Sequence, residues 1–454
     1  MGAFSKTYLA AGLGFMLLAS GLPRHAEAQT AAELQAQIEA MQAQLQELQR
    51  KVAAAEAEAA RANANARSAQ NTARLSTAAP APAPEPDYTV KWKGAPQITS
   101  KDGDFQFKVR GRVLTDYANV DQDGPITGAP DINATELRQA RLGVDGVMFG
   151  DFKYRFEMNF ADGAEVDDAY LRYTALPADI TIGHFKTYNS LEELTSSNYI
   201  TFMERAAITD AFGLQRQIGI GADMKRERWT LGAGLYGANV DDGAPDEGGT
   251  FAARATIAPV LTDDKVLHLG ASVRHRNAGD LTPYSYRQRA DDFHLTDRFV
   301  DTGNIGESDT LWGLEFAGVW GPFSVQSEYM QNKVDAPSFA SDPTYDGWYV
   351  DTSYFLTGET RPYKEGVFGR VKVKNPVNDG GWGAWQIAGR YDVIDLSEGG
   401  CLECGEQDTW LIGLNWYLTN HTRLMLNVAQ SEIDGGVNDG ADITGVAMRA
   451  QVDW

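Results

Sequence analysis

The sequence predicts an all-β fold, a 16-stranded antiparallel transmembrane β-barrel, preceded by an N-terminal helical coiled coil. Three observations carry this reading: apolar and polar residues alternate from residue 100 onward, the connections alternate between short and long, and the apolar face of the last segment ends on Trp454. Composition agrees. Only 43% of the 454 residues are hydrophobic and mean hydropathy is −0.35, which excludes a bundle of membrane helices. A formal net charge of −22 sets the chain against nucleic acid, because phosphate backbones demand a basic face. Two cysteines are too few for a disulfide scaffold.

Residues 1–28 have the makeup of a secretory signal peptide. Lys6 supplies the basic start, Tyr8 to Leu22 the apolar core, and Ala26-Glu27-Ala28 a cleavage site. A membrane anchor would need a longer run than the one that stops at Pro23, Arg24 and His25. The mature chain is expected to begin near Gln29, outside the cytoplasm. From 30 to 75, Leu34, Ile38, Met41, Leu45, Leu48 and Val52 recur in steps of four and three, and Ala55, Ala59, Ala62, Ala66 and Ala69 continue the series. That is the seam of a coiled coil. Its alanine half buries little area, so it depends on close helix approach. Residues 76–100 read as a linker, stiffened by Pro80, Pro82, Pro84 and Pro86.

The barrel domain is expected over 101–454. In its first strand Phe105, Phe107, Val109, Val113 and Tyr117 oppose Gln106, Lys108, Arg110, Arg112 and Asp116. Tyr154, Phe156 and Met158 likewise oppose Lys153, Arg155, Glu157 and Asn159. A soluble sandwich would turn the apolar face inward and a membrane barrel would turn it to lipid, and local periodicity does not separate the two. The end of the chain does so better: Val446, Met448, Ala450, Val452 and Trp454 share one face, as in the closing strand of bacterial outer-membrane barrels. Counting back from it gives strands at 442–454, 421–433, 409–418, 382–396, 346–356, 323–334, 309–320, 266–277, 251–259, 229–240, 213–224, 180–187, 167–175, 151–160, 137–149 and 104–118. Short turns on one rim and long loops on the other complete the pattern, with 357–381 an unexplained long connection on the short-turn side.

Five stretches resemble the phosphate-selective porin O and P family: Phe105–Tyr117, Gly183–Arg205 (with TSS…ER), Leu311–Tyr329 (WGLE…GPFS…EY), Thr357–Lys364 and Gly413–Tyr417. The resemblance runs from about Lys101 to Trp454. It implies a homotrimeric porin in the outer membrane of a Gram-negative bacterium, bordered by lipopolysaccharide, through which small hydrophilic solutes or anions diffuse. It further implies that 188–212, 278–308 and 357–381 fold into the lumen, which accounts for the odd long turn.

Lumen-phase positions that match basic positions of the family are Arg112, Arg138, Lys153, Arg254, Arg276, Arg287 and Arg289. Guanidinium is always charged and forks onto oxyanions, so a row of such groups lets an anion shed water stepwise. Taken singly, any one of these reads better as an ordinary solvated lumen residue paired with an aspartate. Two departures weigh against phosphate: Glu193 stands where the family's phosphate-selective members resemble one another in having lysine, and Gln139 follows Arg138 in place of a second arginine. Asp167 matches a carboxylate beside the constriction, so Asp167 and Glu193 together would oppose anions there. Whether phosphate is bound stays open at this point.

Cys401-Leu-Glu-Cys404 lies in a long loop, and with no second pair an intraloop disulfide is the expectation over a redox or zinc site. No nucleophile–base pair, phosphate loop or metal motif stands out, so no enzyme, cofactor or metal is expected. A structural role competes with the channel, in which the coiled coil tethers the outer membrane to peptidoglycan and the barrel anchors it.

Overall fold

The structure, a computed structural model, describes residues 31–75, 87–92, 94–123 and 128–454. The expected signal segment 1–28 and the proline stretch 76–86 lie outside the described residues. The chain divides into two units, Met1–Glu85 and Pro86–Trp454.

The first unit is one helix, α1 (Ala31–Leu75), 45 residues of good helix formers without glycine or proline. Glu47 and Lys51 pair across one turn at 2.8 Å. The seam residues Ile38, Met41, Leu45, Leu48 and Val52 are 48–61% exposed, so the apolar stripe is uncovered in the single chain.

In the second unit, 18 strands join one sheet. The hairpin β1 (Tyr88–Trp92) and β2 (Pro96–Ser100) falls within the stretch read as linker, and β2 pairs along β3 (Gln106–Asp123). The wall continues through β4 (Ile132–Met148), β5 (Phe152–Asn159), β6 (Glu165–Tyr173) and β7 (Asp179–Lys186). After the helices α2 (Leu191–Leu194) and α3 (Ala207–Ala211) come β8 (Arg216–Lys225), β9 (Trp229–Tyr236), β10 (Gly249–Leu261) and β11 (Lys265–Asn277). A separate hairpin, β12 (Tyr284–Arg289) and β13 (Arg298–Gly306), precedes β14 (Ser308–Trp320), β15 (Phe323–Asp335) and β16 (Thr344–Phe355). The small pair β17 (Tyr363–Lys364) and β18 (Val367–Phe368) leads to β19 (Ala384–Asp395), β20 (Glu406–Thr419), β21 (Thr422–Asp434) and β22 (Asp442–Asp453). β22 pairs antiparallel with β3, which closes 16 strands into a barrel without a free edge. At the seam Trp454 exchanges backbone hydrogen bonds with Gly111, and its ring lies where any Cβ at 111 would sit.

The faces are those of a membrane barrel. On β20, Trp410 and Ile412 point outward (62% and 70% exposed), whereas Thr409, Leu411 and Asn415 are buried inside. Arg390, Asp392, Gln326 and Glu328 are buried on the inner face. Aromatic pairs gird both rims: Phe105–Phe149, Phe152–Tyr173 and Trp385–Trp416 near the short turns, Trp312–Tyr329, Trp348–Tyr391 and Tyr391–Trp410 nearer the long loops.

Three connections fold into the lumen, and they are the three that the resemblance implied. Phe202, Met203, Ile208 and Phe212, from the segment after β7, pack with Tyr286, Phe293 and Phe299, from the segment after β11. The inner-wall residues Leu311, Met330, Tyr345 and Ile394 complete this core. Inward apolar side chains on the wall thus have loops to cover them. The segment after β16 enters from the opposite rim, where Phe368 packs with Leu191.

Candidate functional site

The constriction is built by the segment between β7 and β8, and wall residues far away in sequence hold it. Ser190 turns the chain into α2 with φ 62°, caps Glu193 N at 3.0 Å and donates to Glu328 Oε1 at 3.1 Å. Glu328 also accepts from Leu191 N (2.9 Å) and Glu192 N (2.8 Å), so a wall carboxylate grips the first turn. Opposite, Arg423 donates to Ile200 O at 2.8 Å and Asn415 to Thr201 O at 2.8 Å. Arg390, fully buried, bonds Asp351 (2.7 and 3.0 Å) and Glu192 (3.2 Å), lies 3.4 Å from Asp292, and stacks over Phe202 at 4.6 Å. These arginines act as structural clamps between the inserted segment and the wall.

Below the segment, toward the short turns, a cavity of about 490 Å³ is lined by eleven Arg or Lys residues and three Asp or Glu residues. Its basic wall comes from β3 to β8: Arg110, Arg112, Arg141, Arg155, Arg172, Lys186 and Arg216. Carboxylates space the row. Glu157 lies 2.7 Å from Arg110 and 3.6 Å from both Arg112 and Arg141. Asp167 lies 2.8 Å from Arg141 and 3.4 Å from Arg216, and Asp168 takes Arg216 at 2.8 Å. Above the segment a second cavity of about 310 Å³ is lined by Arg138, Glu204, Arg289, His294 and Arg298 among others. Arg205 lines both cavities.

Two of the inserted segment's carboxylates, Glu204 and Glu193, line the upper cavity. Burial opposes ionisation of Glu204, but Arg138 (2.8 and 3.1 Å) and Arg449 (2.6 Å) outweigh it and hold the carboxyl well below its ordinary range. Glu193 is buried too, and Arg205 and Lys186 keep it ionised in the same way.

The chain is similar to known proteins in sequence and in fold. The sequence model of the family described as phosphate-selective porin O and P matches residues 107–454. The chain belongs to that family. An uncharacterized protein of Caulobacter vibrioides is 34% identical over 360 residues, covering 76% of this chain and 72% of its own length. Porin O of Pseudomonas aeruginosa is 29% identical over 401 residues, covering 79% of this chain and 90% of its own. Among solved structures, an anion-selective porin from Comamonas acidovorans superposes with a TM-score of 0.52 at 13% identity, over 77% of this chain and all of its own. The DcaP channel of Acinetobacter baumannii gives 0.50 at 13%, over 78% and 99%. The protein is an outer-membrane diffusion channel of a Gram-negative bacterium, with the family and fold of a channel.

In this porin the residues singled out from sequence separate into groups. Arg112 and Arg254 line the lower cavity, but Arg254 is bound bidentately to Glu315 (2.7 and 2.6 Å) and to Gly366 O (2.9 Å). Arg138 and Arg289 line the upper cavity. Lys153, Arg276 and Arg287 line neither. Lys153 is exposed close to the turn 149–151; Arg276 is buried against Asp309 (2.7 Å) and the Tyr284 ring (3.8 Å); Arg287 is exposed on the inserted hairpin, 3.7 Å from Asp301. Asp167 sits in the basic row rather than opposing it, and Glu193 is not an unpaired negative charge in the passage. Cys401 and Cys404 are bonded to each other.

Arg141 escaped the sequence reading because a register irregularity between Leu114 and Asp116 breaks the period on β4 and lets Arg138 and Arg141 share the lumen. A second irregularity, at Glu157/Met158, places the neighbours Asp167 and Asp168 on one arginine. Arg110 and Arg155 were legible as polar-face residues of their strands, without a signal that marked them as pore-lining, and Lys186 and Arg216 were not singled out at all.

Proposed function

We propose that this channel prefers anions and works without catalysis. The observation that carries the proposal is the lower cavity, where basic side chains outnumber acidic ones although the whole chain is strongly acidic. A low-dielectric wall focuses that local field, and distant exposed carboxylates are screened beyond about 8–10 Å at physiological salt. The carboxylates between the arginines keep each site shallow, so an anion exchanges between neighbours instead of resting at one. Liposome swelling tests this with solutes of equal size and different charge. The small anion should enter faster than the neutral solute, and the cation slowest; equal rates would contradict the proposal.

A second reading is favoured by the uncovered seam of α1. We infer that copies of this helix associate as a coiled coil, in keeping with a homotrimer, and that it extends toward peptidoglycan while the barrel borders lipopolysaccharide. At 1.5 Å per residue, its 45 residues reach about 65–70 Å. Deleting 30–75 and measuring envelope integrity apart from solute uptake tests it. Leakiness with normal uptake would support the tether; impaired uptake with an intact envelope would count against it.

A further inference from the structure

Where the two cavities approach each other, the carboxylate of Glu193 lies between two cations. Its Oε1 is 2.9 Å from Lys186 Nζ and its Oε2 is 3.1 Å from Arg205 Nε. Lys186 and Arg205 both line the basic cavity, while Arg205 and Glu193 line the upper one. An ammonium and a guanidinium converging on one pair of carboxylate oxygens form the donor set of an oxyanion site.

Neither cation depends on that carboxylate for its position. Lys186 Nζ also donates to the main-chain oxygen of Glu193. Arg205 donates to the main-chain oxygens of Glu192 (3.0 Å), Glu193 (3.3 Å) and Thr195 (3.0 Å). The backbone that offers those oxygens is itself fixed by the Ser190 cap and by Glu328. Removing the charge of Glu193 therefore leaves two anchored cations beside the passage.

We propose that Glu193 determines specificity as a tethered carboxylate, occupying an oxyanion site made by Lys186 and Arg205 that a passing anion must take from it or bypass. The inference rests on the anion-preferring reading above and deepens it. A tethered competitor acts at an effective concentration in the mM range or above. An oxyanion that would bind two free cations tightly thus dwells briefly and moves on, which favours throughput over capture. The ligand class is a small oxyanion, such as inorganic phosphate or a carboxylate.

The test uses the full chain in planar bilayers, with inorganic phosphate titrated against a chloride current. Glu193→Gln keeps the size of the side chain and removes its charge. The phosphate concentration that halves the current should fall at least tenfold in about 0.1 M salt, and the gain should shrink in 1 M salt, where the screening length is about 3 Å. Adding Lys186→Met to Glu193→Gln should abolish the gain. An unchanged half-blocking concentration would overturn the proposal. So would a failure of both Glu193→Gln and Glu193→Ala to give conducting channels, since Glu193 would then be a structural strut. If the unaltered channel passes cations in preference, the anion reading itself fails; if it passes anions and Glu193→Gln leaves phosphate block unchanged, only this inference does.

Discussion

Arg390 shows what a buried charge does in this lumen. Its side chain is fully buried and meets Asp351, Glu192 and Asp292, which ties the inserted segments after β7 and β11 to the wall. Arg390→Met would leave these carboxylates without their cation, at a cost of about 3–5 kcal/mol. We expect the thermal unfolding midpoint to fall and the open current to become larger and noisier, read by calorimetry and single-channel recording. Asp291 gives a pH dependence. Burial raises its carboxyl to about 8, with the hydrogen bond donated by Ser431 Oγ opposing and repulsion from Asp292 and Asp442 adding. A raised folded-state value means that docking of this segment is most stable below the unfolded carboxyl range. Stability is then lost as pH climbs from about 4 to about 8. Hydrogen exchange around 290–292 should speed up across that window, and Asp291→Asn, which tolerates the φ of 56°, should flatten the response.

At the scale of elements, the wall was legible in the alternation of residues, while its contents came only through the resemblance and the contacts that seat them did not. Period-two alternation in stretches such as Phe105–Tyr117 and Phe152–Phe160 places strands, because lipid and lumen select opposite residue types on a pleated surface. The hairpin β1–β2 was missed because its proline-rich approach dominates the composition before it. The contacts that seat the inserted segments join residues such as Ser190 and Glu328, 138 positions apart, and a local pattern holds no trace of them. Arg141 was lost to a register irregularity for the same reason: the rule that found the strands fails where a strand bends. The Cys401–Cys404 loop is a further element with long reach. Glu403 O accepts from Asp301 N at 3.0 Å, and Leu402 O from Val437 N at 2.9 Å, so this short loop bridges β13 and the loop before β22. Cys401→Ser with Cys404→Ser should loosen that bridge by on the order of 2 kcal/mol. Limited proteolysis should then cut the β12–β13 hairpin sooner, while the conductance level stays close to that of the unaltered channel.

For the whole molecule, a net charge of −22 would repel anions at long range, yet the lining of the lower cavity is locally basic. Fixed charges in the wall act over a few ångströms with little screening, so the charge that counts is the charge that lines the path. Family membership fixes the channel, and the basic cavity beneath the inserted segment is the ground for proposing anion preference. Its most direct test is the reversal potential of the full chain in planar bilayers under a tenfold potassium chloride gradient. We expect discrete conductance steps and a reversal potential displaced toward the chloride equilibrium value, with the displacement shrinking as both salt concentrations rise. A reversal potential displaced toward the potassium value would contradict it.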